Sequence, residues 1–172
     1  MAMTLLRWID RNGERVLLLV FYTMIVMVIG VEVMRRFLLS YSSLWGEEVA
    51  RYCLIYLIWI GAAHAVRTRT HIRIDIIFEL LPKRHHVWLF VFGEIATMIF
   101  AAFAFYLSMN PILTSLQYGA VTEGLRISRM FALVAVPLGF ALTEFRLVQN
   151  LIRDLSDHFA GREVYAGKKL FE

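Results

Sequence analysis

Four long apolar runs, separated by short charged segments, constrain this chain more than any other feature. A helix rises about 1.5 Å per residue, so ~20 mainly apolar residues cross roughly 30 Å of hydrocarbon. Val16 to Met34 supplies such a run, with Glu32 its one charge. Tyr52 to Val66 is too short alone, and spans only if the helix begins near Leu44 and carries Glu47, Glu48 and Arg51 in its first turns. Val87 to Met109 holds one charge, Glu94, and precedes Asn110-Pro111, where proline is expected to kink or end a helix. The last run starts near Met130 and is strongly apolar to Leu142, with Thr143-Glu144-Phe145-Arg146 expected to mark its emergence into water. The sequence therefore predicts an all-α integral membrane protein, a bundle of four transmembrane helices. The spans fall at approximately 16–34, 44–66, 87–109 and 130–148, in one membrane domain covering 1–172.

Composition agrees with a lipid-facing surface. Hydrophobic residues make up 59% and charged residues 19%, against nearer half and a quarter in soluble domains. The net charge of +4 gives no sign of nucleic-acid binding, because Lys and Arg cluster at the ends of the apolar runs. The single cysteine, Cys53, excludes an internal disulfide. There is no Cys-x-x-Cys, no glycine-rich phosphate loop and no His-Glu-x-x-His, so nothing suggests an enzyme. A cleaved signal sequence, with Val28 and Gly30 before the cut, is disfavoured: signal cores run about 7–15 residues and the first apolar run is longer.

Orientation follows from the Lys/Arg bias of the segments between spans. The N-terminal segment, the loop Arg67–His86 and the C-terminal tail lie on one side of a four-span chain and hold thirteen of the eighteen basic residues. Both termini are therefore expected in the cytoplasm. Arg35 and Arg36 oppose the rule and are expected at the outer headgroups, where lipid phosphate can pair with them. Arg35 to Ser43, rich in Phe37, Leu38, Leu39 and Tyr41, reads as a short piece lying in the interface. Arg67–His86 reads as a short cytoplasmic interfacial helix ending at Pro82, with His71, Asp75 and Glu79 on its wet face. Pro111 to Arg129 reads as a mildly polar loop. No internal repeat supports an inverted-repeat carrier.

Trp45-Gly46-Glu47-Glu48-x-x-Arg51 is the most informative local cluster. An interfacial tryptophan anchors a helix end, and Glu47 and Glu48 lie four and three residues before Arg51, close enough to pair with it. One carboxylate stays in surplus, which favours a donor from a partner protein. Glu32 and Glu94 are expected to make intramembrane polar contacts with a neighbouring helix or subunit. His64 raises the possibility of an axial haem ligand, but the opposing candidates, His85 and His86, sit in a Lys-Arg-His-His headgroup run, so no cofactor is expected. Gly61, Ala62 and Ala65 form a small-residue face suited to close helix approach.

The order of these elements resembles a known family. Trp45-Gly46-Glu47-Glu48 with Arg51, an apolar run ending Gly61-Ala62-Ala63, His71-Ile72-x-x-Asp75, a Leu81-Pro82 stop and Val136-Pro137-Leu138-Gly139 are similar to the small membrane (DctQ-like) subunit of tripartite ATP-independent periplasmic (TRAP) transporters. Arg126-Ile127-Ser128-Arg129 departs from that pattern in being more basic. The resemblance implies a non-catalytic accessory subunit in the bacterial inner membrane, bracing a large membrane subunit. A periplasmic binding protein would deliver an organic acid anion, and a sodium gradient would drive uptake. It also implies an interface with those partners at Trp45, Glu47, Glu48 and Arg51. The alternative of a different class is the membrane anchor of a respiratory oxidoreductase.

Overall fold

The structure is a computed structural model that describes residues 2–41, 43–68 and 86–160. Among them the chain forms α1 (Ala2–Leu39), α2 (Leu44–Thr68), α3 (His86–Gln117), α4 (Met130–Leu133) and α5 (Ala135–Phe159). No strand forms among the described residues beyond one isolated antiparallel bridge, Val121 to Ser128. Among the described residues four helical stretches are long and apolar enough to cross a membrane: Asn12–Leu39, Leu44–Thr68, Val87–Gln117 and Met130–Phe159.

The helices overrun the apolar windows that predicted them. Pro111 lies inside α3, which continues to Gln117 instead of stopping. Proline removes one backbone donor, and a helix that packs within a membrane can absorb that loss. α3 ends instead at Gly119, whose φ of +57° lets Gly119 N–H reach the Leu116 carbonyl and Ala120 N–H reach that of Ser115. Phe37 to Leu39 form the last turn of α1 and are not a separate interfacial piece, the chain reversing at Ser40 with φ +51°. Pro137 accounts for the break between α4 and α5, because it has no N–H for the carbonyl of Leu133. Beyond it α5 continues through Thr143–Arg146 to Phe159, with Arg146 and Leu147 buried against the other helices.

Contacts fix the topology. Glu14 meets His64, Leu18 meets the space over Gly61, Phe21 stacks on Tyr56 and Cys53 lies 3.8 Å from Met24, so α1 and α2 are antiparallel. Tyr56 reaches the Phe131 carbonyl, Trp59 packs on Phe140, and Asn150 donates to the Val66 carbonyl, so α2 and α5 are parallel. Trp88 with His158 and Phe100 with Phe140 make α3 antiparallel to α5. Among the described residues the main packing thus runs in series, α1–α2–α5–α3.

Small residues let the central helices approach. Ala63, Ala101 and Ala135 are essentially buried, and a Cβ on Gly139 would lie 2.6 Å from Trp59 Cβ. In hydrocarbon such packing substitutes for the hydrophobic effect. α1 shows the reverse: from residue 15 to residue 39 no residue is buried, and Leu19, Met27 and Met34 are about two-thirds exposed.

Candidate functional site

The polar side chains gather at the two ends of the helix row. The lower end is where α1 and α3 start and α2 and α5 finish; the upper end holds the α1–α2 turn and the α3–α4 connection.

At the upper end Glu48 links α2 to the connection. Its carboxylate accepts Tyr52 Oη–H at 2.6 Å, Gly124 N–H at 3.0 Å and Leu125 N–H at 2.7 Å. The connection is itself a small hairpin: Thr122 N–H bonds the Ile127 carbonyl and Arg129 N–H that of Ala120, both at 2.9 Å. Ile127 N–H also reaches Thr122 Oγ1, and Arg126 turns the corner with φ +53°. Gly124 is required there, since a Cβ would lie 2.7 Å from Glu48 and 2.9 Å from the Leu44 backbone. Glu32 closes the α1–α2 turn. It accepts the Ser43 N–H at 3.1 Å, the Ser43 hydroxyl, and Arg35 at 3.3 Å. Gly46 sits over that carboxylate, where a Cβ would come within 2.5 Å of it. The Arg35 guanidinium lies over the Tyr41 and Trp45 rings, 4.9 and 5.9 Å from their centroids.

The four residues of the sequence cluster therefore divide their work. Trp45 is half exposed and faces Arg35. Glu48 is taken up inside the chain. Glu47 and Arg51 are both exposed. Among the described residues neither Glu47 nor Glu48 pairs with Arg51, which corrects the pairing expected from spacing. Tyr52, four residues on from Glu48, lies more nearly above it than Arg51 does, and the hairpin N–H groups saturate the remaining oxygen.

The lower end is built around Glu14, which is 5% exposed. One oxygen takes Arg146 Nε at 2.5 Å; the other lies 3.0 Å from His64 Nδ1 and 3.8 Å from Arg67. Arg146 also donates to Asp10 Oδ1 and Gln149 Oε1, each at 2.5 Å, and to the Asp10 carbonyl at 3.0 Å. Arg67 donates to the same carbonyl at 2.6 Å. Burial works against the charged Asp10 carboxylate. Hydrogen bonds from Arg146 and Gln149 and the charges of Arg146 and Arg67 outweigh it and hold its pKa below the ordinary value. Asn150 ties α5 to the end of α2, and Arg153 donates to Asn150 Oδ1 at 3.1 Å. Asp154, beside Arg153, is fully buried.

His64 is thus a partner of Glu14. Glu94 is part-buried on α3, away from the Glu32 turn. His71 and Asp75 lie outside the described residues. Sequence reasoning missed Glu14, Asp10, Asn150 and Gly124. Among the described residues no group of His, Cys, Asp and Glu is arranged to hold a metal ion.

Polar groups consumed in tying helix ends, on four spans with largely exposed outer faces, suit a membrane subunit. Residues 25–157, from within α1 to near the end of α5, match the family described as tripartite ATP-independent periplasmic transporters, DctQ component. The chain belongs to this family. It is 27% identical over 86% of its length to the isethionate TRAP transporter permease protein DctMQ of Oleidesulfovibrio alaskensis, of which it spans 24%. It is 25% identical over 88% of its length to the sialic acid TRAP transporter small permease protein SiaQ of Vibrio cholerae, spanning 86% of that chain. It is 29% identical over 77% of its length to the ectoine TRAP transporter small permease protein TeaB of Halomonas elongata, spanning 67% of it. As a small permease subunit of the TRAP family, the chain is a multi-pass protein of the bacterial inner membrane. The respiratory-anchor alternative gives way to this assignment.

Proposed function

We propose that this TRAP small permease subunit, a single membrane domain over its 172 residues, carries no substrate itself and braces a large membrane subunit. That partner would take up an organic acid anion delivered by a periplasmic binding protein and driven by a sodium gradient. One observation carries the reading: Glu14, Glu32, Glu48 and Arg146 are each spent on contacts that hold this chain's own helices together. Secondary carriers place such groups at discontinuous helices near the midplane. The apolar part of α1, with no buried residue from 15 to 39, leaves a long face for a neighbour. Two relatives are named for organic acids, isethionate and sialic acid, which supports the substrate class.

Both termini are cytoplasmic in this proposal, since the lower end carries most of the Lys and Arg. The upper end is then periplasmic. There Trp45, Glu47 and Arg51 are exposed and unclaimed by ion pairs among the described residues, and we assign them to contact with the large subunit or the binding protein. Glu48 supports that surface from behind by fixing the hairpin. His71 and Asp75 belong to the cytoplasmic interfacial segment, and Glu94 supplies an intramembrane polar contact.

Two experiments test the proposal. With Cys53 replaced, a cysteine at Tyr118 should react with a membrane-impermeant maleimide from the periplasm and one at Ala160 should not; the opposite pattern refutes the orientation. Changing Glu47 and Arg51 together to alanine should leave thermal stability within about 1 kcal/mol, as expected for exposed charges, while reducing co-purification of the large subunit or the binding protein. Undiminished recovery of both partners removes these two residues from the interface.

A further inference from the structure

The end of α1 carries a cation that no described residue neutralises. Arg36 is exposed at the last turn of α1. Its neighbour Arg35 is matched by Glu32 and covered by Tyr41 and Trp45. The other acids at this end are engaged elsewhere or out of reach. Glu32 is held by Ser43 and Arg35, Glu48 by Tyr52 and the hairpin, and neither Glu47 nor Glu123 forms an ion pair with Arg36 among the described residues. The surroundings of Arg36 are apolar: Val33 is 48% exposed one turn below it, and Phe37, Leu38, Leu39 and Leu44 are 82, 78, 69 and 74% exposed beside and above it.

A guanidinium ringed by uncovered apolar side chains at the mouth of a membrane span is costly to leave alone. It needs an anion whose own substituents are apolar. We infer that Arg36 binds the phosphate of a glycerophospholipid seated over the end of α1, with the acyl chains lying along Val33 and the apolar tip. The planar donor fork matches two phosphate oxygens, which an ammonium does not reproduce. A soluble anion would satisfy the charge but leave Phe37, Leu38 and Leu39 in water. A phospholipid satisfies both, and this charge complementarity with the apolar crown identifies the occupant.

The test titrates the full chain, purified in detergent, with phosphatidylglycerol, with diacylglycerol of the same acyl chains, and with inorganic phosphate, reading retained lipid by native mass spectrometry and stabilisation by thermal shift. Phosphatidylglycerol should be retained and should stabilise; the other two should do neither. Arg36→Gln should weaken lipid retention about tenfold, the usual effect of deleting one charge-assisted contact, and Arg36→Lys should retain an intermediate amount. Arg126→Gln, on the hairpin, serves as the folded control and should bind as the parent. Equal retention by Arg36→Gln and the parent overturns the inference. So does equal stabilisation by inorganic phosphate or by diacylglycerol. Loss of the large subunit from Arg36→Gln with lipid retention unchanged identifies a protein carboxylate as the occupant and also overturns it.

Discussion

The two ends of the helix row are tied by different chemistry. At the lower end a carboxylate and a guanidinium, Glu14 and Arg146, face each other with both side chains 6% exposed. They draw in Asp10, His64, Arg67 and Gln149 from three helix ends. At the upper end the carboxylates of Glu48 and Glu32 are met mainly by backbone N–H and hydroxyl groups. An ion pair holds two helices in register through charges that are expensive to separate. A carboxylate on backbone N–H groups shapes a loop, and among the described residues Arg36 and Arg51 at that end form no ion pair while Arg35 pairs with Glu32. The lower end is thus suited to fixing the row, and the upper end to presenting a surface.

Breaking the lower tie should produce the largest effect. Arg146→Met leaves Glu14 buried without its principal partner, and such an uncompensated charge costs about 3–5 kcal/mol. Unfolding in mixed micelles should report that loss. Combining Arg146→Met with Glu14→Gln should recover much of it, because an apolar or neutral pair removes the orphaned charge. If the single and double variants are equally unstable, the pair is not what holds the row.

Breaking the upper tie should cost less and act locally. Glu48→Ala deprives the part-buried N–H groups of Gly124 and Leu125 of their acceptor, a loss that water can partly make good. Hydrogen exchange at those two amides should rise while the amides of α1 keep their protection. Uniform loss of protection across the four spans would contradict the division between the two ends.

Much of the row was legible in the sequence and the ties were not. Apolar run length alone placed four spans, because about 30 Å of hydrocarbon demands it. The Trp45–Arg51 cluster was visible as a motif, yet the donors to Glu48 lie 76 and 77 residues further on, beyond any local spacing rule. Arg146 follows Glu144 in a polar stretch, which by itself points to water; its burial depends on Glu14, 132 residues away. The available signal was the pairing of unlike charges at run ends on the same side, Glu14 with Arg146. Of the two outcomes expected at Pro111, a kink or an end, the helix does not end there, because local propensity is overridden once a helix packs in a membrane.

The smallest effect separates the ends by pH. Asp10 is held below its ordinary pKa chiefly by Arg146 and Gln149, against the effect of burial. A carboxyl with a depressed folded pKa contributes stability that is complete above the unfolded value of about 3.9 and is lost as pH falls through the folded value. Its side chain is 46% exposed, so the contribution is modest. Asp10→Asn should flatten the acid limb of the stability profile below about pH 4 and leave neutral-pH hairpin exchange unchanged. An acid limb identical to the parent would place the titration elsewhere.

The central claim is that this chain organises a transporter without carrying substrate. It is tested most directly by uptake into proteoliposomes under an inward sodium gradient, with radiolabelled isethionate, sialic acid and ectoine as probes and the cognate binding protein outside. The account predicts no uptake of any probe with this chain alone, and uptake of a transported probe only when the large subunit and this chain are both present. Sodium-dependent accumulation by this chain alone, or full uptake by the large subunit without it, would contradict the account.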